Sequence, residues 1–409
     1  MAIWVLPGLR TPFVKSDGAF KSLDAIALSV PVVKAMMAQI EGREPDFAVW
    51  GTVVPNLTWS NVAREVFLDA GLGSTVPAFS TIMACSTSMM GAIEAAGMLD
   101  DRGRSLALVG GTESLSRIQI GLRQNTSDWL RSVIQSKTIG SRMRTLASVR
   151  PSTLGLYVPS VANRTTGKSM GEHMELTIKQ LGGPSRAAQD GLSLASHRNA
   201  VEASRRGFFD DLTVPLLGVK RDTIPRANTS YEKLAALLPA FDRGGTGSIT
   251  AGNSSPLTDG AAAVWIATDA GLARLPSSLP RVRFVDFEIA AVDIARQGLL
   301  MAPAYAIPKL LARNNLNYAG IALWEIHEAF AAQVLAHLQV LEKNGDEIPR
   351  NRINPNGGSI ALGHPFGATG ARILSQAAKE LAAMGAGARA IVSICADGGE
   401  GSVALLEAA

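Results

Sequence analysis

The chain has 409 residues, 47% of them hydrophobic, which is enough for two or more sizeable cores and too apolar for a disordered chain. Against 35 acidic residues stand 39 basic ones, a net charge of +4; a field that weak does not imply nucleic acid, though it suits a phosphorylated ligand. Two cysteines far apart in the chain argue against a disulfide framework or a zinc ribbon and predict reduced thiols. No apolar run reaches the roughly 20 residues of a membrane span, and MAIWVLPGLRTPF lacks the basic start and long apolar core of a signal peptide, so a cytoplasmic protein is expected.

Residues 1–120 alternate strand-like and helical runs: IWVLP, LDAIALSVPVVKAMMAQI, FAVWGTVV, a unit around Cys85, then SLALVGGTES. That order predicts parallel strands joined by crossover helices. In VPAFSTIMACSTSMMGAIEAAGML a lone thiol, Cys85, stands where a buried strand over 76–83 hands over to a helix over 86–99. A helix N-terminus favours a thiolate, which predicts an attacking sulfur. A free cysteine that merely packs is the plain alternative.

Between about 116 and 240 the periodicity weakens, which predicts an inserted loop domain with short helices. Its start is basic: Arg117, Arg123, Arg131, Lys137, Arg142, Arg144, Arg150, Arg164 and Lys168 face a single acid, Asp128, beside an apolar stripe of Trp129, Leu130, Val133 and Ile134. Docking on a membrane surface, a partner subunit or a ligand's phosphates is one reading, and a solvated basic face the other. FDRGGTGSITAGNSSPLTDGAAAVWIAT then returns to the core through a glycine- and hydroxyl-rich loop, and from 281 onward strands and helices alternate again.

The expected segments are 1–116, the first part of an N-terminal half; 117–245, the inserted loop domain; 246–275, the return to that half; and 276–409, a C-terminal half. An internal echo supports duplication, because Cys85 and Thr369, and likewise Gly111 and Cys395, are both separated by 284 residues, each pair lying in a loop, helix and strand unit.

Three further positions carry chemistry. His364, in NPNGGSIALGHPFGATGAR, sits among glycines that let a ligand approach the backbone. Cys395 ends the apolar run IVSIC before a glycine-rich turn, and His327 precedes a helix in WEIHEAFAAQ. Burial for the thiol and a satisfied core histidine are the plain readings of the last two.

The ordered set RTPF, the Cys85 turn, GGTES, MGEH, TSYEKL with LPAF, TAGNSS with DGAAAV, HEAFAAQ, NGGSIALGHPFGATGAR and CADGGEG resembles a thiolase over nearly the whole chain. The HEAF form is similar to that of fatty-acid oxidation complexes. The resemblance implies an α/β fold of two duplicated βαβαβαββ halves packed together with an inserted loop domain. It also implies an acetyl-CoA C-acyltransferase that cleaves 3-oxoacyl-CoA in β-oxidation. Cys85 would take the acyl group, His364 would be its base, Cys395 would exchange the α-proton, and His327 with His364 would face the enolate-like oxygen. The backbone N–H groups of Cys85 and Asp397 would receive the tetrahedral oxyanion. Met170, Ser255 and Phe330 would line the pantetheine and acyl channel.

Coenzyme A would be a substrate, with no permanently bound cofactor and no metal. A homodimer or dimer of dimers is implied, with a β-oxidation partner subunit as a further expectation and no nucleic acid. Ser88 and Asp397 stand where many relatives have glycine, and Pro256 and Thr258 alter the loop after Ser255; the Asp397 carboxylate is expected to raise the Cys395 pKa. The rival readings are a biosynthetic acetoacetyl-CoA thiolase, a non-catalytic scaffold, and a zinc site built from Cys85, Cys395, His327 and His364.

Overall fold

The structure is a computed structural model that describes residues 1–41, 43–100, 103–345 and 347–409. The first half runs β1 (Ile3–Arg10), α1 (Ala25–Ala38), β2 (Phe47–Gly51), α2 (Val62–Asp69), β3 (Ala78–Phe79), α3 (Thr87–Met98) and β4 (Leu106–Glu113). Outside the sheet follow α4 (Gln124–Gln135), α5 (Ile139–Ala147), α6 (Met170–Leu181) and α7 (Arg186–Arg205), and then β5 (Thr258–Thr268) re-enters it. The second half runs β6 (Val282–Ala291), α8 (Ala302–Arg313), β7 (Leu323–Ile326), α9 (Ala331–Leu341), α10 (Thr369–Met384), β8 (Arg389–Ala396) and β9 (Glu400–Ala408).

These strands form one mixed sheet in the order β7-β8-β9-β6-β1-β5-β4-β2-β3. On either side of the β1–β6 seam the order is the same, first strand, last, last but one, second, with the last antiparallel to its neighbours and the next pair parallel; the first half adds β3 at its outer edge. The duplication read from the 284-residue offset is therefore a duplication of topology. The seam itself is short, matching only Trp4 with Arg283 and Val5 with Val282.

The side chains of successive strand residues point to opposite faces, and this alternation assigns the layers. Val5, Phe47, Val49, Ala107, Val109, Val264 and Ile266 share one core with α3, α10 and the inward residues Ala390, Val392, Ile394, Ala404 and Leu406 of the second half. Their neighbours Leu6, Ala48, Trp50, Leu108 and Trp265 pack with α1 and α2, whereas Ile391, Val403 and Leu405 pack with α8 and α9. Strands covered on both faces read as continuous apolar runs rather than alternating ones, as AAAVWIAT and RAIVSIC do. The two central helices come very close: a Cβ at Gly370 would lie 2.3 Å from the Met89 backbone nitrogen, so only glycine fits there. Ser88 Oγ then accepts a hydrogen bond from Ala371 N at 2.8 Å, supplying one of the partners that a helix start leaves open.

Two expectations need correction. The strand expected over 76–83 is only the half-buried β3, because the polar groups after it pair with helices instead of a neighbouring strand: Ser80 Oγ accepts from Ala63 N of α2, and Met83 N donates to Thr87 Oγ1 of α3. The short helices expected between 117 and 245 include the 20-residue α7, which carries buried residues against the second half, as when Ser196 Oγ donates to Glu328. Among the described residues no helix is long and apolar enough to cross a membrane.

Candidate active site

The site lies where the two central helices begin. Cys85 stands two residues before α3, and Ala84 ahead of it has φ of 44°, a left-handed conformation unusual for alanine. Ser86 N bonds back to Met83 O, and Thr87 Oγ1 donates to Ala84 O. The resulting tight turn holds the half-buried cysteine out of both strand and helix, in a strained geometry of the kind that accompanies function.

The second half brings two histidines to this sulfur. Cys85 Sγ and one ring nitrogen each of His327 and His364 lie within 4.8 Å of one another, and the two imidazole centroids are 4.1 Å apart. Cys395 is not in that trio, so the four-residue set considered for zinc does not assemble as a single cluster among the described residues. His327 follows β7, and its backbone N donates to Ser393 O on β8. Asn354 braces this turn by accepting from Ile326 N (2.8 Å) and donating to Ile326 O (2.9 Å) and Glu328 (2.7 Å). His364 N donates to Thr258 Oγ1 at 3.1 Å, so this hydroxyl orients the histidine loop.

Each imidazole has one satisfied and one unsatisfied nitrogen. His327 Nδ1 is 2.8 Å from Ser359 Oγ, and His364 Nδ1 is 2.7 Å from Thr369 Oγ1, whose hydroxyl donates to Pro365 O. The Nε2 atoms of both rings are buried without a protein partner. Unpaired buried polar atoms are costly and rare, and two of them beside one sulfur mark a place for a ligand's polar atom.

The electrostatics overturn one expectation. Loss of water around the sulfur, followed by the negative fields of Asp397 and Glu113, pushes the Cys85 thiol up to about 12; burial and two carboxylates outweigh the helix terminus. Cys395 is also pushed well above the ordinary thiol value, by burial and then by Cys85. The Asp397 carboxylate thus acts on Cys85 rather than on Cys395 as expected. It accepts from Asn163 Nδ2 at 2.8 Å and from Gly398 N at 2.7 Å. Burial, with Arg372 adding to it, lowers His364 to about 3, and burial also takes His327 well below its usual range. At rest the site is a neutral thiol facing neutral imidazoles.

Met170, at the start of α6, and the buried Phe330 belong to the same apolar cluster as Cys395. Phe330 stacks edge-on against Phe241, with centroids 5.8 Å apart. Ser255 N donates to Ala329 O at 2.9 Å, which brings its loop alongside. The three expected channel residues therefore gather on the Cys395 side. Glu113, Asn163, Ser359 and Arg372 are not singled out by the sequence, and Thr369 only as the counterpart of Cys85, although all except Asn163 sit inside the quoted motifs. Glu113 accepts from Thr52 Oγ1, Val53 N, Val54 N and Gly367 N, tying β4 to the loop after His364.

Comparison with known proteins agrees with this arrangement. Residues 3–270 match the thiolase N-terminal domain and residues 279–408 the thiolase C-terminal domain. A 3-ketoacyl-CoA thiolase of Yersinia enterocolitica is 35% identical, over 99% of this chain and 96% of that protein, and a probable 3-ketoacyl-CoA thiolase of Caenorhabditis elegans is 34% identical over 99% and 94%. Among solved structures, the Bacillus anthracis acetyl-CoA acetyltransferase superposes with a TM-score of 0.82 at 29% identity, covering 100% of this chain and 99% of that one. An Ascaris suum thiolase solved in complex with coenzyme A gives 0.84 at 26% identity, with both chains covered in full. Two family domains that together span nearly the whole chain, and full-length relatives above 30% identity, place it plainly: the chain belongs to the thiolase family.

Proposed function

We propose that the protein is a degradative 3-oxoacyl-CoA thiolase. The observation that carries this reading is the trio of Cys85, His327 and His364 at the junction of the halves, with two unpartnered ring nitrogens beside the sulfur. His364 takes the Cys85 proton as the sulfur attacks the 3-oxo carbon. Concerted transfer suits a thiol whose environment resists a free thiolate. Collapse of the tetrahedral oxyanion breaks the C2–C3 bond, leaving the acyl group on Cys85 and the enolate of acetyl-CoA, which receives a proton from Cys395. The enolate oxygen accepts hydrogen bonds from the two histidines. The Cys395 thiolate left by that step takes the proton of a second coenzyme A thiol, which attacks the thioester and leaves as the shortened acyl-CoA, while His364 returns its proton to the departing Cys85 sulfur. Coenzyme A acts as substrate throughout. Assay of thiolysis with 3-oxoacyl-CoAs of several lengths tests the reading. Activity on long chains supports it, whereas turnover confined to acetoacetyl-CoA favours the biosynthetic alternative and none at all the scaffold.

The same proposal places the enzyme in the cytoplasm as a homodimer or dimer of dimers. Ile82, 63% exposed beside the Cys85 turn, and the open edge of β3 support self-association; an active monomer on sedimentation would contradict it. The basic arm 117–168 is the docking surface. Ile134 and Ile139 on α4 and α5 are 74% and 83% exposed among its cations, the mixture that suits an anionic membrane surface or an acidic partner subunit. Charge reversal at Arg142, Arg144 and Arg150 should weaken binding to anionic vesicles and leave thiolysis of a short substrate intact.

A further inference from the structure

Arg372 lies at the start of α10 with its side chain fully buried, and its Nη2 donates to Ser359 Oγ at 2.8 Å. The same oxygen is 2.8 Å from His327 Nδ1. A guanidinium has donors only, and a serine hydroxyl has a single hydrogen. The Ser359 oxygen is committed as acceptor to Arg372, and the imidazole nitrogen is the other partner within hydrogen-bonding distance. Giving the hydroxyl hydrogen to His327 Nδ1 leaves only Nε2 of this pair without a protein partner, whereas a proton on Nδ1 would strand the Ser359 hydroxyl hydrogen as well as Nε2. Nδ1 must then be bare, and the ring proton stands on Nε2, which is buried without a protein partner in a ring that has one nitrogen within 4.8 Å of Cys85 Sγ and of a His364 ring nitrogen.

We infer that Arg372, acting through Ser359, is a positioning residue that locks His327 in the Nε2–H tautomer. The arrangement at His364 has the opposite polarity. There Thr369 gives its hydrogen to Pro365 O at 2.8 Å and offers its oxygen to His364 Nδ1, so that ring holds its proton on Nδ1 and presents a bare Nε2. Two chemically identical side chains whose centroids are 4.1 Å apart thus face the reacting atoms as a fixed donor and a fixed acceptor. A histidine in the wrong tautomer is inactive in either role, and this pairing removes the choice before substrate arrives. Arg372 is itself held through Gln376, which accepts from its Nη1 and donates in turn to the buried Glu325.

The inference rests on the thiolase reading for its purpose but not for its test. In the full-length protein labelled with 15N at histidine, two-dimensional 1H–15N correlation through the ring carbons distinguishes the two neutral tautomers, with His327 assigned by its loss in His327→Asn. The unmodified protein should show His327 protonated on Nε2 alone. Arg372→Lys, which keeps a donor-only group, should preserve the pattern. Ser359→Ala should move it toward an average of both tautomers and lower kcat for thiolysis by about threefold to tenfold, below the cost of losing an oxyanion donor outright, with KM for coenzyme A changed less than about twofold. His327 found with its proton on Nδ1 in the unmodified protein overturns the inference even if thiolysis is rapid. A Ser359→Ala spectrum identical to the parent's overturns the role of the serine relay. An inactive protein that still shows the Nε2–H pattern counts against the thiolase reading and leaves the lock standing.

Discussion

The two halves of the molecule share a topology but not a chemistry, and equivalent positions show how they part. Where the first half mounts Cys85 before its central helix, the second has Thr369 opening its own. The thiol attacks in our reading, whereas the hydroxyl holds His364. Near the end of the last strand but one of each half the roles reverse. Gly111 is glycine because a Cβ there would come 2.1 Å from Gly367 O, while its counterpart Cys395 ends β8 with a buried sulfur. In that reading one scaffold is furnished twice, with the nucleophile in one copy and the proton-handling groups in the other.

The sharpest way to break that comparison is at the nucleophile. Cys85→Ala should form no acyl-enzyme by intact mass and lose thiolysis by at least about 10⁴-fold; a variant that still turns over would put the attacking atom elsewhere. Cys395→Ala should separate the two thiols. It should still accept acetyl from acetyl-CoA onto Cys85 but lose hydrogen–deuterium exchange at the acetyl methyl and condensation with it. Condensation at close to the parent rate would make Cys395 a packing residue only.

A third measurement reads the buried ionisable groups of both halves through stability. His197 and His337 are held down to about 4 and His364 to about 3, chiefly by burial. The unfolded chain therefore takes up these protons first, and stability is lost as pH falls from about 6.5 through those values, each group contributing about 1.4 kcal/mol per pH unit. Burial pushes Glu113 and Glu325 the other way, up to about 7 and about 8, so their contribution is lost as pH rises from the ordinary carboxylate range through those values. Thermal unfolding should be most resistant near pH 6.5 and fall off on both sides; a flat profile from pH 4 to 8 would contradict this. The smallest effect is expected from Asp397→Gly. Removing that charge should lower the pH at which iodoacetamide inactivates the enzyme through Cys85, and an unchanged profile would mean the carboxylate is screened from the sulfur.

How much of this the sequence disclosed depended on the kind of interaction. The α/β class was visible because strands covered on both faces are written as unbroken apolar runs, and the duplication because two motifs shared one spacing. Cys85, His327, His364 and Cys395 were found through glycine-rich motifs that mark where backbone must come close to a ligand. The thiol's electrostatics were misread, since a helix start is a local feature, whereas the carboxylates of Glu113 and Asp397 reach the sulfur only through the fold. Ala84 gave no signal either: its left-handed turn is imposed by hydrogen bonds on both sides and not by its own preference. Ser359 and Arg372 lay in a quoted motif, but what they do depends on donor direction in three dimensions, which spacing does not encode.

The seam between the halves has a consequence in time. Only two residue pairs are matched along it, so the halves are joined by their shared core, by the bond from Ala371 N to Ser88 Oγ and by the close packing at Gly370, across 283 residues of chain. During synthesis at 5–20 residues per second, the inner face of the first central helix waits roughly 15 to 60 s for its partner to emerge. For that interval an apolar helix face and the Cys85 sulfur stand uncovered at the ribosome. The meeting of Cys85 with His327 and His364 is thus among the last things the chain completes.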